Sequence, residues 1–333
     1  MDKIDLEKNA SAKDLKKSEK LNGIKVGGYD FSKGVNFEEI LDSFGSMGFQ
    51  ATNFSRAVEI VNKMIDEKVF IFLGYTSNMV SSGLRDVFRY LVQSKKVNVI
   101  VTTCGGIEED IMKCLGDFII GDFNASGNDL YDKGINRIGN IFVPNEEYVK
   151  FESFIQPILQ EMYDSIDAEN GEHRVINASD LIWKLGEKID DERSVLYWAW
   201  KNKIRVYCPA ITDGAIGGNL YFFKFKHPEF VVDVVEDSKR LNDTTVGLEK
   251  SGVIILGSGV VKHSILQANL FRNGADYSVY INTAQEYDGS DAGANPDEAV
   301  SWGKLKGKGE SVKVFGDATI LFPLLVAKSF VKE

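Results

Sequence analysis

Positive charge is in short supply in this chain: 39 Lys and Arg stand against 49 Asp and Glu over 333 residues, a formal net charge of −10. That balance argues against a nucleic-acid partner and is compatible with basic or cationic ones. Cysteine is scarce too. Cys104, Cys114 and Cys208 form an odd, widely spaced set. They make neither a disulfide framework nor a metal-ligand pattern, so no metal is expected and a reducing cytosol is the expected compartment. Long apolar runs are missing. The stretch from Leu321 to Ala327, interrupted by Pro323, is far too short to span a bilayer, and the N-terminal MDKIDLEKNASAKDLKKSEK lacks the apolar core of a secretion signal. The chain is expected to be neither membrane-spanning nor exported by that route.

Several catalytic signatures are absent as well. There is no serine nucleophile elbow, zinc-ligand spacing or phosphate-binding P-loop, which argues against serine hydrolases, zinc enzymes and P-loop NTPases. The dinucleotide fingerprint G-x-G-x-x-G fails at its third glycine, because Gly257-Ser258-Gly259 is followed by Val260, Val261 and Lys262. No internal repeat is visible.

What is present is a recurring local pattern. Short apolar runs at Val69–Leu73, Val97–Val101, Arg205–Cys208, Val253–Leu256 and Val312–Phe315 each end in a turn of small or polar residues. Most of these turns lead into a helix-like stretch, such as Leu84–Leu91, Ile107–Leu115, Ser264–Phe271 and Thr319–Phe330. Strand, turn and helix repeated in this way predict an α/β fold with a mainly parallel sheet covered by helices. Functional residues then collect at the strand C-termini. Residues 1–20, rich in charge and poor in apolar side chains, read as a mobile or partly helical arm before a single domain over residues 21–333.

One segment stands out chemically. Between Arg272 and Lys304 lie six carboxylates, Asp276, Glu286, Asp288, Asp291, Asp297 and Glu298, and no further basic side chain. An acidic, glycine-rich stretch is commonly a solvated loop. This one follows a strand-like run, Tyr277–Ile281, and ends in Trp302-Gly303-Lys304, so it also suits a polycationic ligand held beside a nucleophilic amine. The turns TSNMVSSG, TTCGG, GSG and GDA each read as a tight connection; together on one sheet edge they suit a nucleotide. Glu108 and Glu109 read as opening a helix after Gly105-Gly106, favoured by its dipole, and their place at the same sheet edge as the acidic run would also add to a cation-binding pocket. Of the three histidines, His173 and His227 read as surface residues, and His263 alone is placed to act as acid or base.

At these residues the chain resembles the deoxyhypusine synthase family. The resemblance extends from about Gly27 to the C-terminus, through LGYTSNMVSSGLRD, VTTCGGIEED, GINRIGNIFVPNE, PAITDG, the block from VVKHSILQANLFRNG to EAVSWGK, and VFGDATILFPLL. It implies a Rossmann-like core with helices on both faces, a cytoplasmic homotetramer with active sites at subunit interfaces, and an NAD-dependent transferase. In such an enzyme spermidine is oxidised to an imine, 1,3-diaminopropane is released, and the aminobutyl group passes through an enzyme lysine to a lysine of a translation factor precursor.

The resemblance implies that Lys304 is the nucleophilic lysine and His263 its catalytic neighbour. It assigns the amine pocket to Glu108, Glu109, Asp291, Glu298 and Trp302, lined by Gly289 and Ser290. Dinucleotide contacts fall on Ser77, Asn78, Met79, Val80, Ser81, Thr103, Cys104, Gly105, Glu109, Asp213, Ser258, Thr283, Ala284, Asp317 and Ala318. The N-terminal arm would cover the site entrance. Two departures stand out: Gly218 occupies a position where the family carries a spermidine-binding aspartate, and Ser258 replaces a frequent glycine. Gly218 keeps open a related homospermidine synthase, which hands the aminobutyl group to putrescine. A third alternative is a catalytically weak subunit that acts by binding an active paralogue, and Lys304 argues against it.

Overall fold

The computed structural model describes residues 17–166 and 173–331. Most of the arm expected over residues 1–20 lies outside them, and residues 17–20 are exposed and irregular. The chain enters through α1 (Phe37–Met47), α2 (Phe49–Asp66), β1 (Phe70–Tyr75), the short α3 (Asn78–Ser81), α4 (Leu84–Gln93), β2 (Val99–Thr102) and α5 (Cys104–Leu115). A middle section follows: β3 (Ile119–Ile120), α6 (Gly127–Asp132), β4 (Ile135–Ile138), β5 (Ile141–Pro144), α7 (Asn145–Asp164), β6 (Arg174–Asn177), α8 (Ala178–Ile189) and α9 (Val195–Asn202). The last part runs β7 (Arg205–Tyr207), α10 (Ala215–Lys226), β8 (Phe230–Asp233), α11 (Val235–Thr245), β9 (Ser251–Leu256), α12 (Val260–Leu270), β10 (Ala275–Asn282), α13 (Pro296–Ser301), β11 (Leu305–Phe315) and α14 (Ala318–Ser329).

Six strands form one parallel sheet in the order β11, β10, β9, β1, β2, β7. The chain builds outward from β1 to β2 and β7, then returns to the other side of β1 for β9, β10 and β11. This is the Rossmann order, and the crevice between β1 and β9 is its switch point, where open α/β sheets hold ligands. The sheet is covered on both faces, which is why its strands are apolar throughout. Ile71, Leu73 and Tyr75 of β1 join one core with Phe54 and Ile60 of α2, Phe88 of α4 and Phe322 of α14. Tyr75 stacks on Phe88 with ring centres 4.0 Å apart. The intervening Phe72 faces the opposite core, with Val261 and Ile265 of α12 and Leu241 of α11.

Two smaller sheets were not legible as such: an antiparallel one ordered β3, β5, β4, and a parallel pair β6, β8. Helix α5 also begins earlier than its apolar periodicity suggests, at Cys104. Glu108 and Glu109 therefore lie a full turn inside it and are buried, so the helix dipole does not account for them. His227 is another correction. Its ring lies 4.0 Å from the Tyr163 ring and 4.5 Å from that of Phe223, with Nε2 3.1 Å from Gln160 Oε1, so it is packed rather than a free surface residue. His173 is exposed as expected. Among the described residues no helix is long and apolar enough to cross a membrane.

Candidate active site

Lys304 owes its place to the end of α13. Gly303 adopts φ 70°, the left-handed region that disfavours a side chain. Its N–H donates to Val300 O at 2.9 Å while the Lys304 N–H donates to Ala299 O at 2.9 Å, the paired bonds of a Schellman stop. The Lys304 carbonyl in turn accepts from Ala275 N at 3.0 Å, at the start of β10. Local sequence (S-W-G-K) thus reverses the chain and fixes the lysine backbone between a helix end and the sheet.

The Lys304 side chain lines a cavity of about 510 Å³ together with His263, Gly289, Asp291, Glu298 and Trp302. These were all expected site residues, and the fold brings them together from α12, the acidic loop and α13. Trp302 is 67% exposed, with Lys304 Nζ 5.7 Å from its ring centre. Sequence reasoning missed the apolar wall of Leu266, Leu270, Tyr280 and Ala299, and also Lys262 and Gln267. The signal was present in the spacing of Lys262, His263, Leu266, Gln267 and Leu270 along one face of α12. Ser290 does not line the cavity; it is exposed, and its N–H donates to Asp288 Oδ1 at 2.8 Å.

A second cavity, of about 280 Å³, opens at the β1/β9 switch point. Asn78, Met79, Ser258, Thr283, Ala284, Asp317 and Ala318 line it as expected, joined by Thr76, Gly257, Asn282, Ala292 and Gly316. The remaining expected contacts of β1 and β2 form a connected cluster beside it. Ser77 N donates to Thr103 Oγ1 at 2.9 Å, and a Cβ on Gly105 would stand 2.7 Å from Ser77 Cβ. Lys113 Nζ binds the carbonyls of Val80, Ser81 and Ser82, and burial lowers its pKa to about 8. Cys104 is fully buried, and burial raises its thiol pKa far above the ordinary value. The Asp317 carboxylate caps α14 by accepting from Thr319 N at 2.7 Å.

Glu108 and Glu109 do not line the Lys304 cavity of the same chain. Glu108 Oε2 accepts from Ile216 N of α10 at 2.9 Å and from Cys104 Sγ at 3.3 Å, tying α5 to α10. Glu109 accepts a short bond from Ser81 Oγ. Burial pushes the Glu109 carboxyl up to about 7, against the Ser81 bond and with the Glu108 charge adding to the rise. Asp213 precedes α10 and Gly218 lies in its first turn, both exposed and likewise outside the Lys304 cavity.

Residues 39–329 match the family model described as deoxyhypusine synthase. The chain belongs to the deoxyhypusine synthase family. It is 50% identical to the deoxyhypusine synthase of Senecio vernalis over 95% of this chain and 92% of that protein. It is 49% identical to the deoxyhypusine synthase of Nicotiana tabacum, again over 95% and 92%. A crystal structure described as that of a candidate deoxyhypusine synthase from Entamoeba histolytica matches with a TM-score of 0.68 at 36% identity, covering 92% of this chain and 96% of that one. The activity is accordingly that of a deoxyhypusine synthase, an enzyme that transfers an aminobutyl group.

Proposed function

We propose that this chain transfers the 4-aminobutyl group of spermidine, in an NAD-dependent reaction and through an imine on Lys304, to one lysine of a translation factor precursor. The observation that carries this reading is the convergence of Lys304, His263, Asp291, Glu298 and Trp302 on one cavity. NAD suits the neighbouring cavity at the switch point. The first turn of α12 has no side-chain cap, so its N–H groups are free for an anionic pyrophosphate, and Asn78, Ser258, Thr283 and Asp317 supply polar partners.

NAD bound there supplies the hydride acceptor and, later, the hydride donor. The protein's own residues do the rest. Asp291 and Glu298 attract the ammonium ends of spermidine, and Trp302 covers its methylenes. His263 accepts the proton of the secondary amine as its neighbouring carbon loses hydride. The neutral amine of Lys304 attacks the resulting imine carbon, the bond to the original nitrogen breaks, and 1,3-diaminopropane leaves with a proton. The acceptor lysine then displaces Lys304 in the same manner. Leu266, Leu270, Tyr280 and Ala299 form an apolar wall that keeps water from the imine.

The reading extends to a homotetramer with active sites at subunit interfaces. Its support is that Glu108, Glu109, Asp213 and Gly218 stand outside the Lys304 cavity of their own chain. Tyr221, Phe222 and Phe225 of α10, beside Gly218, are also 59%, 62% and 71% exposed, an apolar face suited to burial by a second copy. Residues 21–333 act as one catalytic domain in the cytoplasm, and residues 1–20 serve as an arm at the site entrance.

Gly218 favours a second reading, in which putrescine replaces the protein lysine as acceptor and homospermidine forms. Incubation with NAD and labelled spermidine, adding either the factor precursor or putrescine, separates them. Label in protein supports the first reading, and label in homospermidine alone supports the second. No turnover by a folded enzyme would point instead to a binding subunit. Lys304→Ala must abolish transfer while leaving NAD binding intact; undiminished product would refute the nucleophile assignment.

A further inference from the structure

The loop at residues 283–295 carries Asp291 and leads into α13, which carries Glu298, yet it has no helix or strand of its own. Its internal ties are few: Gly289 N to Glu286 O at 3.2 Å, Gly293 N to Ser290 O at 3.1 Å, and the Asp288 turn. It closes on itself tightly at Gly293, where a Cβ would meet the Gln285 carbonyl oxygen. Two ammonium groups from other elements hold it in that shape.

Lys262 of α12 is 2% exposed and donates to the carbonyls of Asp291 and, at 3.4 Å, Ala294. Its Nζ also lies 3.6 Å from Asp291 Oδ1 and 5.3 Å from the Tyr280 ring centre. Lys313 of β11 donates to the carbonyls of Ala284 at 2.9 Å and Gly293 at 2.5 Å. The transfer chemistry uses neither lysine. A buried ammonium carries three donors and no acceptor, and its burial is tolerated only when carbonyls or carboxylates surround it. Here those donors reach main-chain carbonyls at both ends of one loop, and that loop forms a wall of both cavities: Asp291 faces the amine side, while Thr283, Ala284 and Ala292 face the dinucleotide side.

We propose that Lys262 and Lys313 are positioning residues for the transfer reaction, gripping the acidic loop through its carbonyls so that Asp291 is presented to the incoming amine. Lys262 also partners the Asp291 carboxylate until an amine cation replaces it. This inference rests on the reading of the Lys304 cavity as the amine site, so the test includes Asp291→Asn as a check on that reading alone.

The experiment compares steady-state kinetics of the full-length enzyme carrying Lys313→Met, Lys313→Arg, Lys262→Met, the double Met variant and Asp291→Asn, with thermal melting as a control. Lys313→Met should raise the amine KM by about tenfold, the scale of one lost charge-assisted hydrogen bond, with a much smaller change in kcat. Lys313→Arg, which still donates to carbonyls, should recover most of that loss. The double variant should fall short of the product of the single effects, because both lysines grip one loop. If Lys262→Met does not fold, the two Lys313 variants decide the matter. An unchanged KM in Lys313→Met, or a loss confined to kcat, overturns the proposal when Asp291→Asn does raise KM. An unchanged KM in Asp291→Asn overturns the amine-site reading itself.

Discussion

Glu109 should give amine binding a pH dependence that can be traced to one carboxyl. The side chain is 8% exposed, and its pKa rises from the ordinary 4.5 to about 7 because burial penalises the charged form. Roughly a tenth of the enzyme then carries Glu109 ionised at pH 6 and roughly nine-tenths at pH 8. If the ionised form binds the amine cation in the assembled enzyme, the amine KM falls about tenfold across that interval. The same shift acts on stability with a definite sign. A folded-state pKa above the unfolded one favours the fold below pH 4.5, and that advantage is lost as pH rises through 7, about 3 kcal/mol in all. A bound cation would offset that loss, and this links tighter binding to the ionised state. The assay is kcat/KM for spermidine at saturating NAD and constant ionic strength between pH 5.5 and 9, alongside Glu109→Gln. The variant should keep its bond from Ser81 but lose the acid limb. A limb that persists unchanged in Glu109→Gln refutes the assignment.

Three further outcomes are expected. Gly303→Ala forces a Cβ into the left-handed region and should destabilise the enzyme by about 1 kcal/mol, visible as a lower melting temperature, with a reduced yield of borohydride-trapped adduct on Lys304; unchanged melting would refute the Schellman account. Asp110 is fully buried and accepts from Arg85 Nε at 2.7 Å, Ser194 Oγ at 2.6 Å, and the N–H groups of Val195 and Leu196 at 3.0 Å each. Asp110→Asn should therefore lose about 3 kcal/mol in denaturant unfolding, while activity per folded enzyme is kept. At Gly218 a Cβ would find nothing within 4 Å, so Gly218→Asp should fit and lower the spermidine KM by about three- to tenfold; an unchanged KM would show that this position does not reach the amine.

Much of the site was legible because it is built from short, continuous segments. The run ending in Trp302-Gly303-Lys304 brings its own stop signal and its own carboxylates, and α12 carries His263 on the face that meets them. The role of Lys262 was not legible, since a lysine beside a glycine-rich turn gives no local sign of burial. The same holds for His227, whose partners Gln160 and Tyr163 lie on a distant helix.

The amino-acid sequence by itself determined the class of this protein: alternating apolar strands, small-residue turns and helices, an acidic run ending in a nucleophilic lysine, and the motifs that place it in its family. These are local properties, set by backbone preference and by the period at which apolar side chains recur. Tertiary structure alone decided which strands became neighbours, because any order of buried parallel strands satisfies the same local pattern. That order put the Lys304 cavity beside the switch-point cavity and left Glu108 and Glu109 outside it. It also brought Lys262 and Lys313, from two different elements, onto the carbonyls of one loop. Burial without partners would be costly for the Lys262 ammonium, and less so for the half-buried Lys313; the loop carbonyls meet that demand only once α12 and β11 have packed around the loop.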